Sequence, residues 1–173
     1  TSVEDIDRAL FLAGLPGVLF ATFGDMIRVP GTGGRSLQMI RAGGADVRVV
    51  FSASECINLA VRHPDRQVVF MGIGFETTSP TVASMVKACS VRGIENVSVF
   101  SVHKLIPPAI DVLLGDEELA IDGFLCPGHV STILGTKAYA GIPSRGCAAV
   151  ITGFEPVDIL QGICQILNQI IEG

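Results

Sequence analysis

The chain has 173 residues, of which 49% are apolar, enough to bury a core for one compact domain or two small ones. Its 12 basic and 17 acidic residues give a net charge of −5, and no Lys/Arg cluster could neutralise a run of phosphates, which argues against nucleic acid as a partner. No window approaches the roughly 18 consecutive apolar residues of a membrane span. The amino end, "TSVEDIDRAL", is acidic rather than leader-like, so the chain reads as a soluble cytoplasmic protein.

Thr1 stands where an initiator methionine would, and a helical pattern begins at once, as expected of a piece of something longer. Six short β-branched runs follow, at residues 18–23, 46–52, 67–72, 96–102, 123–126 and 148–152. Each leads into a helix-compatible segment such as "SECINLAVRH", "PTVASMVKACSVRG" or "PVDILQGICQILNQII", where apolar residues return at three and four. Strands separated by helices need crossover connections, so the expected class is α/β with mainly parallel sheets flanked by helices. Ser54 and Ser79 can cap helices, and Pro80, Pro107 and Pro156 suit first turns. A proline pair and an acidic turn in "HKLIPPAIDVLLGDEELAIDG" interrupt the rhythm. We therefore expect a four-stranded unit over residues 1–102. Residues 103–173 should be part of a second unit, whose two strands are too few for a sheet of their own.

Ligands of open parallel sheets gather at the carboxyl ends of strands. Five motifs lie at such ends: "TFGDMIRVPG", "GIGFETTSPT", "SVHKLIPP", "CPGHVST" and "TGFEP". In the second of these, Gly72 and Gly74 permit a tight turn, and Thr77, Thr78 and Ser79 put hydroxyls at a helix start. Such a corner can hold an anion or polarised ligand, or it can simply cap the helix and leave Glu76 in solvent. His129, His103 and Lys104 could be structural or functional. Asp25 and Arg28 could pair across their loop or hold a partner.

The segment "GTGGRS" is Gly-rich but lacks the Gly-Lys-Ser/Thr ending of a phosphate loop. No nucleophile elbow or catalytic triad is legible, so no catalytic residue is assigned. The five cysteines, Cys56, Cys89, Cys126, Cys147 and Cys164, are scattered and never two residues apart, so no metal site is expected either. Three of them, Cys56, Cys89 and Cys164, sit in helix-like stretches and read as small hydrophobes.

Taken in order, "VEDIDRAL", "ATFGDMIRVPG", "GADVRVVFS", "GFETTSPT", "SVHKLIPPAI", "PGHVSTILG" and "TGFEPVDIL" resemble the hydrogenase maturation factor HypD family over essentially the whole chain. The resemblance implies two Rossmann-like α/β units facing one another. It also implies a role with the partners HypC and HypE as the scaffold on which the Fe(CN)2CO unit of [NiFe] hydrogenase is built, HypE supplying the cyanide. By that resemblance the cleft is lined by Gly74, Phe75, Glu76, Thr77 and Thr78 and by Pro127, Gly128, His129, Val130 and Ser131. Asp25, Arg28, His103 and Lys104 lie in its partner or cleft loops.

The family's upstream Cys-Gly-Gly-His and Gly-Pro-Gly-Cys-Pro-x-Cys motifs are absent, as are the downstream cysteines of its [4Fe-4S] cluster. The expectation is a central piece without cofactor of its own, able to self-associate through uncovered strands. Two other classes remain: a small-molecule or nucleotide-binding α/β enzyme, and a pure protein-docking module.

Overall fold

A computed structural model describes residues 1–116 and 118–172. The chain divides into two compact units: Thr1–Gly74 with Thr78–His103, and Phe75–Thr77 with the chain from Lys104 onward. The expected α/β class, parallel sheets flanked by helices, is the one that forms.

In the first unit, helix α1 (Val3–Ala13) starts where the Ser2 hydroxyl accepts the Asp5 N–H at 3.1 Å. Glu4 and Asp5 lie in its first turn, where acidic charge complements the exposed helix N–H groups. Strands β1 (Val18–Thr22), β2 (Val47–Val49), β3 (Gln67–Gly72) and β4 (Val97–Ser101) follow, with helices α2 (Leu37–Ala42), α3 (Glu55–Arg62) and α4 (Ser79–Val91) in the crossovers. All strand pairs are parallel, in the order β2-β1-β3-β4.

Period-two alternation with apolar residues in both phases makes both faces of this sheet hydrophobic. Phe20, Val69 and Met71 pack with Ile6, Ala9, Leu10 and Leu37 on one side. Leu19, Ala21, Val68 and Phe70 pack with Ile57, Met85 and Cys89 on the other. The ring of Phe23 meets Phe70 edge-on at 5.3 Å.

Strand β2 is shorter than its β-branched run. Val50 still donates its N–H to Thr22, but the Phe51 and Ser52 N–H groups both go to Glu55 Oε1, at 2.8 and 3.0 Å, and turn the chain into α3. Ser54 takes the N-cap position but its side chain makes no capping bond; its hydroxyl pairs with Ser52 at 2.8 Å.

The second unit holds α5 (Ile106–Leu114), the parallel pair β5 (Gly123–Pro127) and β6 (Ala148–Thr152), and helices α6 (Gly128–Leu134) and α7 (Pro156–Glu172). Ile110, Cys126, Tyr139, Ile142 and Cys147 form its core. Helix α7 crosses the pair at Gly162, where a Cβ would stand 2.8 Å from Leu125 Cδ2 and 3.3 Å from Thr152 Cβ, so a larger residue would make the Leu125 side chain shift. The Gln169 amide accepts the Ala149 N–H at 3.0 Å and donates to the Ala149 carbonyl at 3.3 Å, supplying the β6 edge with hydrogen bonds that a further strand would make. Among the described residues, no helix is long and apolar enough to cross a membrane.

Candidate functional site

The order β2-β1-β3-β4 reverses direction between β1 and β3, and a crevice at the carboxyl ends of such a pair is where open parallel sheets receive ligands. The β1 corner runs into a 3-10 turn, Gly24–Arg28. Asp25 and Arg28 are both exposed there, and among the described residues they do not pair with one another; Arg28 Nε donates to Gln38 Oε1 at 3.1 Å.

The β3 corner needs its two glycines for different reasons. A Cβ on Gly72 would lie 2.8 Å from His103 Cε1 and 3.0 Å from Val99 Cγ1, so the missing side chain lets the imidazole close on the strand end. Gly74 has φ of 124°, a conformation that L side chains rarely adopt, and a Cβ there would run into the Thr78 side chain. The Thr78 hydroxyl donates to the Ile73 carbonyl at 3.1 Å and closes the loop, while Thr77 is exposed. Pro80 sits in the first turn of α4 as expected.

Glu76 does not sit in solvent. It is 3% exposed, and its Oε1 accepts the N–H of Ile106, the first residue of α5, at 2.6 Å. Phe75, Glu76 and Thr77 therefore belong to the second unit while Gly74 and Thr78 stay with the first.

His103 Nδ1 lies 2.9 Å from the Ser101 hydroxyl, its Nε2 is buried without a hydrogen-bond partner among the described residues, and burial lowers its pKa. A neutral imidazole results at physiological pH. Lys104 is exposed.

In the second unit, Gly128 has no room for a side chain, since its Cβ would come 2.8 Å from the Thr152 carbonyl oxygen at the end of β6. The exposed His129 ring lies tilted against Phe154 of "TGFEP", with centroids 4.9 Å apart, so the fifth and sixth strand corners meet. Val130 is buried, and the Ser131 hydroxyl donates back to the Pro127 carbonyl at 2.9 Å.

Tyr139 escaped the motif-based reading, although it is the only tyrosine in a chain without tryptophan. It is 5% exposed, and burial raises its pKa; the nearby Ser131 hydroxyl works against that shift, and the charges of Cys126 and Glu76 add to it.

A resident [4Fe-4S] cluster takes four cysteine thiolates. Here Cys56 and Cys89 lie in one core and Cys126 and Cys147 in another, and burial raises the pKa of each. Among the described residues, no three His, Cys, Asp or Glu side chains come together as metal ligands. The residues present do not fit a cluster, and no chemistry is assigned to one.

In the exposed "GTGGRS" loop the Thr32 donors are already taken within the chain. Both the N–H and the hydroxyl of Thr32 donate to the Asp7 carboxylate, at 2.8 and 2.6 Å, and these bonds hold the Asp7 pKa below the usual carboxylate range.

Against this geometry, the comparisons with known proteins agree with one another. Residues 1–173 match the family described as HypD, hydrogenase formation hypA family. The chain is 45% identical over 174 residues to the "Hydrogenase maturation factor HypD" of Azotobacter vinelandii, covering 97% of this chain and 46% of that protein. It is 44% identical to the proteins of the same name from Rhodobacter capsulatus and Escherichia coli (strain K12), covering 97% and 95% of this chain and 45% and 44% of theirs. The chain thus spans about half the length of the curated relatives it matches. On a family match over its whole length, with the glycine-built β3 corner and the "PGHVS" corner in place, the chain belongs to the HypD family.

Proposed function

We propose that this chain acts in [NiFe] hydrogenase maturation, in the cytoplasm, as part of a scaffold on which the Fe(CN)2CO unit is assembled with the partners HypC and HypE. The iron unit is cargo, and its cyanide nitrogens are hydrogen-bond acceptors. The observation that carries the reading is the "GFETT" loop: Gly74 folds it tightly, Thr78 locks it, and the Thr77 hydroxyl stays exposed. That hydroxyl, with N–H groups at the start of α4, is suited to donate to a cyanide nitrogen. A neutral His103 beside Gly72 adds an imidazole that brings no charge of its own. Asp25, Arg28 and Lys104 are exposed and suited to partner contacts, and the His129–Phe154 pair gives the "PGHVS" corner an aromatic surface. Complementation of a strain lacking its own HypD protein, using the complete protein with these corners altered, tests the role directly. Undiminished hydrogenase activity with all of them altered would refute it.

A nucleotide-binding role is disfavoured by Asp7, whose carboxylate takes the Thr32 donors that a phosphate would need. Calorimetry with ATP or NAD is expected to show no binding at micromolar concentrations; micromolar affinity would restore that reading.

Self-association of the 173-residue chain is also proposed, because α7, which packs on β5 and β6, exposes Val157 (63%), Leu160 (63%) and Ile171 (80%). Light scattering at about 100 micromolar should report a mass above the 18.1 kDa of one chain. A strictly monomeric chain would mean that this surface stays solvated.

A further inference from the structure

Helix α7 has two sides of different character. Gly162 lies against Leu125 and Thr152, Ile166 reaches Gly123 and Gln169 holds Ala149, so the side bearing these residues covers β5 and β6. On the opposite side stand Val157, Leu160, Cys164, Leu167 and Ile171, all exposed. Their spacing of three, four, three and four is the repeat by which one helix sets its side chains between those of another. A solvated helix side carries polar and charged residues, yet no charged residue stands between Asp158 and Glu172. The two charges that α7 does carry are both acidic, and Glu172 sits in the last turn, at the negative end of its own helix.

We propose that this outer side of α7 binds α7 of a second copy of the chain, the two helices running antiparallel about a twofold axis; the inference rests on the self-association proposed above and names its surface. An antiparallel pair sets Leu160 against the partner's Ile171 and Cys164 against the partner's Leu167, and the twofold axis repeats both contacts. It also brings Glu172 to the amino-terminal end of the partner helix, where unpaired N–H groups favour an anion, whereas a parallel pair would set the two Glu172 carboxylates side by side. A second copy fits this surface because the stripe is complementary to itself and has no charged side chain with which to select a different protein. Copies of a chain with net charge −5 repel one another least where neither carries charge.

The test uses the 173-residue chain and thiol cross-linking, since Cys164 is exposed while Cys56, Cys89, Cys126 and Cys147 are buried. With copper–phenanthroline as oxidant, the wild type alone and a Cys164→Ser, Leu167→Cys variant alone should each give no covalent dimer. A mixture of the two should give one, because only the mixed antiparallel pair sets a thiol at 164 against a thiol at 167. Light scattering should report about twice 18.1 kDa for the wild type and 18.1 kDa for Leu160→Glu, a change at an exposed position that leaves the far-ultraviolet circular dichroism unaltered. A covalent dimer from the wild type alone would show a parallel pair and overturn the arrangement. An uncross-linked mixture, or a Leu160→Glu chain that stays dimeric, would overturn this surface and leave self-association standing, whereas a monomeric wild type would overturn both.

Discussion

Replacing Thr77 by valine in the complete protein is expected to leave folding intact and to sharply reduce hydrogenase maturation, whereas valine at Thr78 is expected to weaken the fold itself. The two hydroxyls are neighbours in sequence but differ in what they hold. Thr77 is exposed, so its replacement should change stability by no more than about 0.5 kcal/mol. Thr78 donates to the Ile73 carbonyl within the loop that Gly74 makes possible, and losing that bond should cost about 1 kcal/mol. A hydrogen bond to a charged acceptor contributes about 1.5 to 3 kcal/mol, so losing the Thr77 donor should weaken the hold on an iron-bound cyanide on the order of 10- to 100-fold. Thermal melts and complementation assays on the two single variants separate these effects. Full maturation by a well-folded Thr77→Val protein would remove that hydroxyl from the mechanism.

A second large effect is expected at alkaline pH. Burial pushes the Cys56 thiol up from 9.0 to about 12, with the charges of Cys89 and Glu55 adding to the shift. Burial also raises Cys89, Cys126, Cys147 and Tyr139. A raised pKa means that the folded chain keeps a proton the unfolded chain has already lost. The stabilisation is therefore complete below the unfolded value and is lost as pH rises through the folded one. For Cys56 the window runs from 9.0 to about 12, and that difference corresponds to about 4 kcal/mol. Set against a typical total of about 5–15 kcal/mol, this is enough to make the protein marginal near the top of the window. The urea midpoint followed by circular dichroism should fall steeply between pH 9 and pH 11, and a Cys56→Ala variant should show a clearly shallower fall. Equal slopes in the two proteins would place the alkaline sensitivity elsewhere.

The alternation of β-branched runs with three-and-four-spaced helical segments was sufficient to read parallel strands covered on both faces. Residues such as Val68 to Met71 are apolar in both phases of the strand period, and only a sheet buried on both sides has a use for that. The segments "GFETT" and "PGHVS" were likewise legible, because glycines and hydroxyls after an apolar run mark a strand end whatever surrounds it.

What no pattern in the chain could show was where each side chain's hydrogen bonds go. Glu76 looked like a surface carboxylate and is instead buried on the Ile106 N–H, thirty residues away. Thr78 looked like a helix cap and instead closes its own loop on Ile73. "GTGGRS" looked like a weak phosphate loop, yet its Thr32 donors are held by Asp7 from α1, twenty-five residues upstream. Tyr139 carries no motif at all, and only its burial draws attention to it. Periodicity is a local property of the chain and can be read along it. The partner of a polar atom is chosen by long-range packing, where the cost of leaving a buried donor or acceptor unpaired outweighs any preference of its immediate neighbours, and that choice exists only in the folded structure.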